Sequence, residues 1–187
     1  MNTSTQNPAN KINILTSRFN NSTWEENETY RRLHNLQGCI YGAPLQVSSK
    51  IQMMSSAYVI EMNNETNRIE GIGSIRIYPS FSEVKSVYTS NNYNRYVYSG
   101  KFHLDRDILV RYNEELVTII ETLVFTGKTH MKRGSGLTKM PDKFIKDKRC
   151  PSHINILQDI RKIFKNHYCE SSDSLIIPSN NPKNDDD

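Results

Sequence analysis

The stretch AYVIEMNNETNRIEGIGSIRIYP, residues 57–79, decides the fold. Tyr58, Val59, Ile60 and Met62 favour a strand, and Asn63-Asn64-Glu65-Thr66-Asn67 is a run of turn formers. From Arg68 to Tyr78 the chain returns as a longer strand, so the stretch predicts an antiparallel pair. Side chains alternate across a strand. Ile69, Gly71, Gly73, Ile75 and Ile77 therefore share one face, and Glu70, Ile72, Ser74, Arg76 and Tyr78 the other. Two glycines on one face weaken a strand and mark a bulge, a bend or the close approach of another group. A barrel corner is the expected meaning here. Gly71-Ile72-Gly73 is no dinucleotide fingerprint, because no helix follows it and the third glycine is missing.

Working outward, residues 11–15 (KINIL) read as a short strand and residues 1–10 as a polar, disordered start. A helix is expected from Thr23, capped by that residue with Glu26 completing a capping box, and carrying Trp24, Tyr30 and Leu33 as far as Gly38. Residues 39–44 read as a strand entering a turn, and residues 50–54 as another short element. Beyond the central pair, residues 90–94 (SNNYN) are expected to form a mobile loop, and residues 95–104 a strand pair broken at Gly100. A helix follows over residues 105–124, with Asn113 capping a second segment that carries Leu116, Ile119, Ile120, Leu123 and Val124. A last helix covers residues 151–168, and residues 169–187 read as a polar, acidic tail. These elements predict one α+β domain over residues 11–168. Its sheet is expected to be small, antiparallel and twisted or barrel-like, packed by about three helices.

Length and composition agree with one domain. The chain has 187 residues, a formal net charge of +4 and three cysteines, with a mean hydropathy of −0.66. Reduced cysteines, the lack of an apolar leader at the start and the lack of any membrane-length apolar run point to an intracellular protein that is not secreted and meets no membrane. Cys150 with His153, and His167 with Cys169, have the ligand types of a zinc site. A helix of about 13 residues between the pairs would hold them about 20 Å apart, so no metal is expected. No other cofactor is indicated. No nucleophile elbow is present, and Gly127-Lys128-Thr129 follows a helix rather than the strand and glycine loop that a phosphate-binding loop requires. The chain thus offers a place to bind and no visible catalytic machinery.

That place is residues 125–149, FTGKTHMKRGSGLTKMPDKFIKDKR, which hold eight of the 24 lysines and arginines. At its centre, Lys132-Arg133-Gly134-Ser135-Gly136 couples cations to a backbone that can turn through positive φ. Amide N–H groups on such a turn, beside Lys and Arg, suit phosphate oxygens. Charge runs also serve simply as solvated faces. The candidate contacts are Lys128, His130, Lys132, Arg133, Ser135 and Lys139, with Tyr96 and Tyr98 of the nearby aromatic strand offering rings to stack on bases. The expected partner is RNA or single-stranded nucleic acid.

The strand pair 58–62 and 68–75 resembles the paired strands of PUA-like small barrels, the group that contains EVE, ASCH and YTH domains. That resemblance implies RNA binding, in some members with a modified base held in an aromatic pocket. The run from Trp24 to the segment Lys128–Thr138 looks like proteins of nucleocytoplasmic large DNA viruses, which implies a viral source and viral protein partners in host cytoplasm or virion. The rival expectation is a structural or virion-associated protein whose basic loop meets the genome or an acidic partner.

Overall fold

The computed structural model describes residues 12–79, 86–145 and 147–173. The expectations for residues 1–10 and for most of the tail lie outside them. The chain order is β1 (Asn13–Phe19), α1 (Asn21–Leu33), β2 (Cys39–Ala43), β3 (Ser56–Asn63), β4 (Arg68–Arg76), β5 (Tyr96–Gly100), β6 (Phe102–Asp105), α2 (Arg106–Phe125), β7 (Thr138–Lys139), α3 (Asp142–Ile145) and α4 (Ile156–Asp173). The fold class is α+β, as expected. The sheet differs in two ways: it is mixed, and it is not closed into a barrel. Five strands lie in the order β6-β4-β3-β1-β7, and β2 and β5 form a separate two-stranded ribbon. β1 runs parallel to β3, pairing Asn13 with Ala57 through to Phe19 with Asn63, while the other pairs are antiparallel.

The parallel pair follows from the crossover. β1 leaves the sheet through α1 and β2 before the chain returns as β3, and parallel neighbours need a connection of that kind. Alternation then builds two cores. Ile14, Tyr58, Ile60, Met62 and Ile72 face α2 and α4, where Leu116, Ile120, Leu123, Ile160 and Phe164 are buried. Leu15, Phe19, Val59 and Ile75 face the β2–β5 ribbon, with Ile40, Tyr41, Val97 and Tyr98. Trp24 and Tyr30 of α1 pack on this second core, and Phe19 meets Trp24 edge to face at 5.2 Å. Leu33, expected inside, is 75% exposed.

One residue changes the expected face of Ile69. Glu61 pairs with Gly71, but Met62 pairs with Ile69, so Glu70 is the extra residue of a bulge. Ile69 is thereby turned into the helix-side core with Ile72. Asparagines cap two helical segments. Asn20, not Thr23, caps α1: its Oδ1 accepts from the Thr23 N–H at 2.8 Å, and the Thr23 hydroxyl accepts from the Asn20 N–H at 3.0 Å. Asn113 breaks α2 (φ −163, ψ 88) and accepts from the Leu116 N–H at 2.9 Å, as its position predicted.

The two strand glycines make room for a buried polar cluster. Glu61 is fully buried. The Tyr41 hydroxyl donates to Glu61 Oε1 at 2.7 Å, and His103 Nε2 lies 2.9 Å from Oε2. Arg31 Nη1 is 3.0 Å from His103 Nδ1, and Asp105 Oδ1 is 3.5 Å from the same nitrogen. A Cβ on Gly71 would sit 2.6 Å from Glu61 Oε2 and 2.9 Å from His103 Nε2, and one on Gly73 would overlap the Tyr41 hydroxyl. The glycines thus mark close approach of side chains, beside a bulge, rather than a barrel corner. Burial alone would push the Glu61 carboxyl up; His103, Arg31 and Tyr41 outweigh it and hold it below the ordinary range.

Candidate nucleic-acid interface

β1 and β3 end side by side, and the crevice beyond their carboxyl ends is where open sheets with parallel strands take ligands. A cavity of about 200 Å³ lies there. Its walls come from Ser17, Arg18 and Phe19 of β1, from Asn20 and Thr23 at the start of α1, from Gly42 of β2 and Asn64 after β3, from Tyr88 and Tyr93, and from Gly134, Ser135 and Gly136. The Gly-Ser-Gly turn singled out in the sequence therefore lines it. Gly134 has φ +108 and Gly136 φ +67, conformations that other residues rarely adopt. Gly42 is needed for a different reason: a Cβ there would meet the Tyr88 ring at 2.8 Å.

The basic loop is held in place from two sides. Asn64 Nδ2 donates to the Lys132 carbonyl at 3.0 Å, and Lys132 Nζ donates to Asn67 Oδ1 at 2.7 Å. On the β1 side, Arg18 Nε donates to the Met131 carbonyl at 2.7 Å, and its Nη1 to the Gly136 carbonyl at 3.1 Å. The aromatic wall is ordered as well. Residues 90–94, expected as a mobile loop, contain a 3-10 turn (Asn91–Asn94). Asn94 Oδ1 accepts from the Val87 and Tyr88 N–H groups at 3.0 Å each, and its Nδ2 donates to the Tyr88 carbonyl at 2.6 Å. Tyr93 is 41% exposed and meets Tyr88 edge to face at 6.1 Å. Burial holds the Tyr88 phenol well above its ordinary range, so it stays neutral.

The lining is polar and aromatic, and its cation, Arg18, has its N–H groups turned to the loop carbonyls and to the Thr16 and Thr138 hydroxyls. Helix N-termini attract anions, but the first turn of α1 is already engaged: Thr23 N–H by Asn20, and Asn21 N–H by Glu65 Oε2 at 3.1 Å. The cavity thus suits a neutral planar group, and Lys132 and Arg133 beside it suit a phosphate.

The structure sorts the expected contacts. Ser135 lines the cavity, Lys132 and Arg133 lie next to it in the loop, and Arg133 is exposed. Lys128 is exposed, and His130 is half-buried with Nδ1 accepting from the Lys132 N–H at 3.3 Å. Lys139 belongs to β7 and pairs with Asp142 at 3.3 Å. Tyr96 is half-buried on β5 against the second core. Tyr98 is fully buried, and its hydroxyl accepts from the Val47 N–H at 3.0 Å. It is a core residue with no ring face for a base, a correction to its expected role. Arg149, part of the basic run, donates to the Thr122 and Thr126 carbonyls at 3.0 and 3.1 Å and so caps the end of α2. Cys150 and His153 precede α4, and His167 and Cys169 lie in its second half. Among the described residues no three His, Cys, Asp or Glu side chains converge as metal ligands, and no helix is long and apolar enough to cross a membrane.

Arg18, Tyr88 and Tyr93 were not among the expected contacts. Arg18 lies beyond the strand expected over residues 11–15, and the tyrosines stand in a run that reads as polar. No protein-family model, no curated protein and no solved structure matches this chain.

Proposed function

We propose that the chain binds single-stranded nucleic acid, RNA above all, in the crevice beyond β1 and β3. One observation carries this reading: a turn with two positive-φ glycines, flanked by Lys132 and Arg133, forms one wall of a small cavity whose other wall is Tyr88 and Tyr93. An unpaired base enters the cavity and stacks on Tyr93, and its backbone phosphates meet Lys132, Arg133 and Lys128. At about 200 Å³ the cavity falls below the roughly 300–1,000 Å³ of drug-sized sites, which favours one ring system at a time. The sequence resemblance of residues 58–62 and 68–75 to PUA-like strands extends the proposal to modified bases. Within this proposal the protein works inside the cell on viral or host RNA, beside viral protein partners.

The test is binding of labelled single-stranded RNA, single-stranded DNA and duplexes of one sequence at 50 and 200 mM salt, with wild type and K132E/R133E. Affinity for the single strands is expected to exceed that for the duplex, to fall with salt and to fall further in the double variant. Equal affinity for polyglutamate, or a double variant that binds as well as wild type, overturns the proposal.

A further inference from the structure

The geometry points to Arg18 as the positioning residue of this interface, a clasp that holds the basic loop in its binding shape; the inference rests on the crevice being the nucleic-acid site. Arg18 shares the face of β1 that carries Ile14 and Thr16, and its side chain passes beneath residues 131–138. Its planar guanidinium reaches both ends of that loop at once. Nε donates to the Met131 carbonyl at 2.7 Å, while Nη1 donates to the Gly136 carbonyl at 3.1 Å and to Thr138 Oγ1 at 3.2 Å. Nη2 is 3.4 Å from Thr16 Oγ1, which ties the fork back to its own strand.

Two features separate this arrangement from an ordinary surface arginine. Among the described residues no carboxylate pairs with Arg18, although desolvation by burial pulls its pKa down. A partly buried cation without a counter-charge is held by its acceptors alone, and those of Arg18 lie on the loop or on β1 itself. Second, Gly134 lies over the guanidinium, where a Cβ would rest in van der Waals contact 3.6 Å from Cζ. The turn that lines the cavity is therefore built over the fork. Lysine cannot replace it, because an ammonium is a point donor and cannot span carbonyls on two ends of a loop in one plane. A direct role on phosphate is disfavoured by the same geometry, since at least four of the five N–H donors already have acceptors.

The experiment combines hydrogen exchange with binding, using R18K and, should that variant fold poorly, T16V/T138V, which removes two acceptors and leaves the arginine. Exchange of the amides of residues 131–138 is read against those of β3 and β4, which report that the fold is intact. R18K is expected to raise loop exchange about tenfold or more, while β3 and β4 stay protected. It is also expected to weaken binding of a labelled single-stranded RNA about tenfold with an unchanged slope of affinity against salt, because no phosphate contact is lost. Unchanged loop exchange overturns the clasp, and a slope reduced by about one overturns it in favour of a phosphate contact. Wild-type protein that fails to bind RNA overturns the interface reading instead, and the exchange result is independent of that outcome.

Discussion

Gly71→Ala separates the buried cluster from simple strand propensity, because the two predict opposite signs. Alanine in a strand interior is favoured over glycine by about 0.5–1 kcal/mol when space allows. Here the added methyl would lie 2.6 Å from Glu61 Oε2, 2.7 Å from the Leu104 carbonyl and 2.9 Å from His103 Nε2. The carbonyl belongs to the neighbouring strand β6 and cannot swing away, so the side chains must yield. Overpacking of this kind costs about 1–3 kcal/mol, and straining the buried hydrogen bond between Glu61 and His103 costs about 1–3 kcal/mol more. A net loss of about 3 kcal/mol follows, or a melting point lower by about 6–12 °C for a chain of this size. Urea titration followed by circular dichroism measures it, and a midpoint shift at unchanged slope assigns it to stability. The same substitution in a Glu61→Ala background should cost at least 1 kcal/mol less, since the methyl then enters vacated space. A stabilised Gly71→Ala protein, or costs that add in the double variant, would refute the account of the glycines.

Other perturbations read the remaining parts. Glu61 is held below the ordinary carboxyl range in the folded protein, so the stability it contributes is complete above its unfolded pKa of about 4.3 and is lost as pH falls through the folded value. Melting points taken from pH 7 to 3 should therefore fall more steeply for wild type than for E61Q; parallel curves would contradict this. R149A removes the donors on the Thr122 and Thr126 carbonyls and should lower stability by about 1 kcal/mol while leaving RNA affinity within twofold. A large affinity loss would make Arg149 a phosphate contact after all. Y93A should weaken RNA binding by about 1–3 kcal/mol with little change in stability. Y98F should do the reverse, because it strips the acceptor from the buried Val47 N–H at a cost of about 1–3 kcal/mol.

Local pattern made the central hairpin legible. A period of two with turn formers between the runs leaves few alternatives, and β3 and β4 lie where it puts them. Asn113 was legible for a similar reason, since a short acceptor before two glutamates and an apolar stripe is what a helix start needs. Partner choice between distant strands has no such local mark. Nothing in residues 13–19 says that β1 runs parallel to β3, so the sheet read as antiparallel. The two glycines allowed a bulge among their meanings, but nothing marked Glu70 as its extra residue, because one extra residue leaves the alternation of names intact while turning Ile69 over. In the site, positive φ at Gly134 and Gly136 was readable because glycine alone carries that freedom cheaply. Charge was less informative. Lys132 and Arg149 look alike in sequence, yet one faces the β3–β4 turn and the other closes a helix.

The two polar networks act at opposite ends of α1, and this links the buried cluster to the crevice. The first turn of the helix supplies Asn20 and Thr23 to the cavity wall. Near its other end Arg31 lies against His103 at 3.0 Å and over the Trp24 ring at 5.4 Å. Between them, fully buried Asn27 donates to the Ile40 carbonyl at 2.7 Å and to the Tyr88 hydroxyl at 3.0 Å. A helix of 13 residues held at three points along its length cannot rotate or slide without breaking one of them, and a half-formed polar network costs more than none. The mean hydropathy of α1 is low, so apolar burial alone would fix it poorly. The buried polar contacts thus supply what the apolar face of α1 does not: they set the position of its first turn, and with it the position of Tyr88 against the Gly-Ser-Gly wall. On this account E61Q, far from the cavity, should loosen α1 as a unit, and hydrogen exchange at its first turn should rise together with exchange at Arg31. Faster exchange confined to the Arg31 end would show that the two networks are independent.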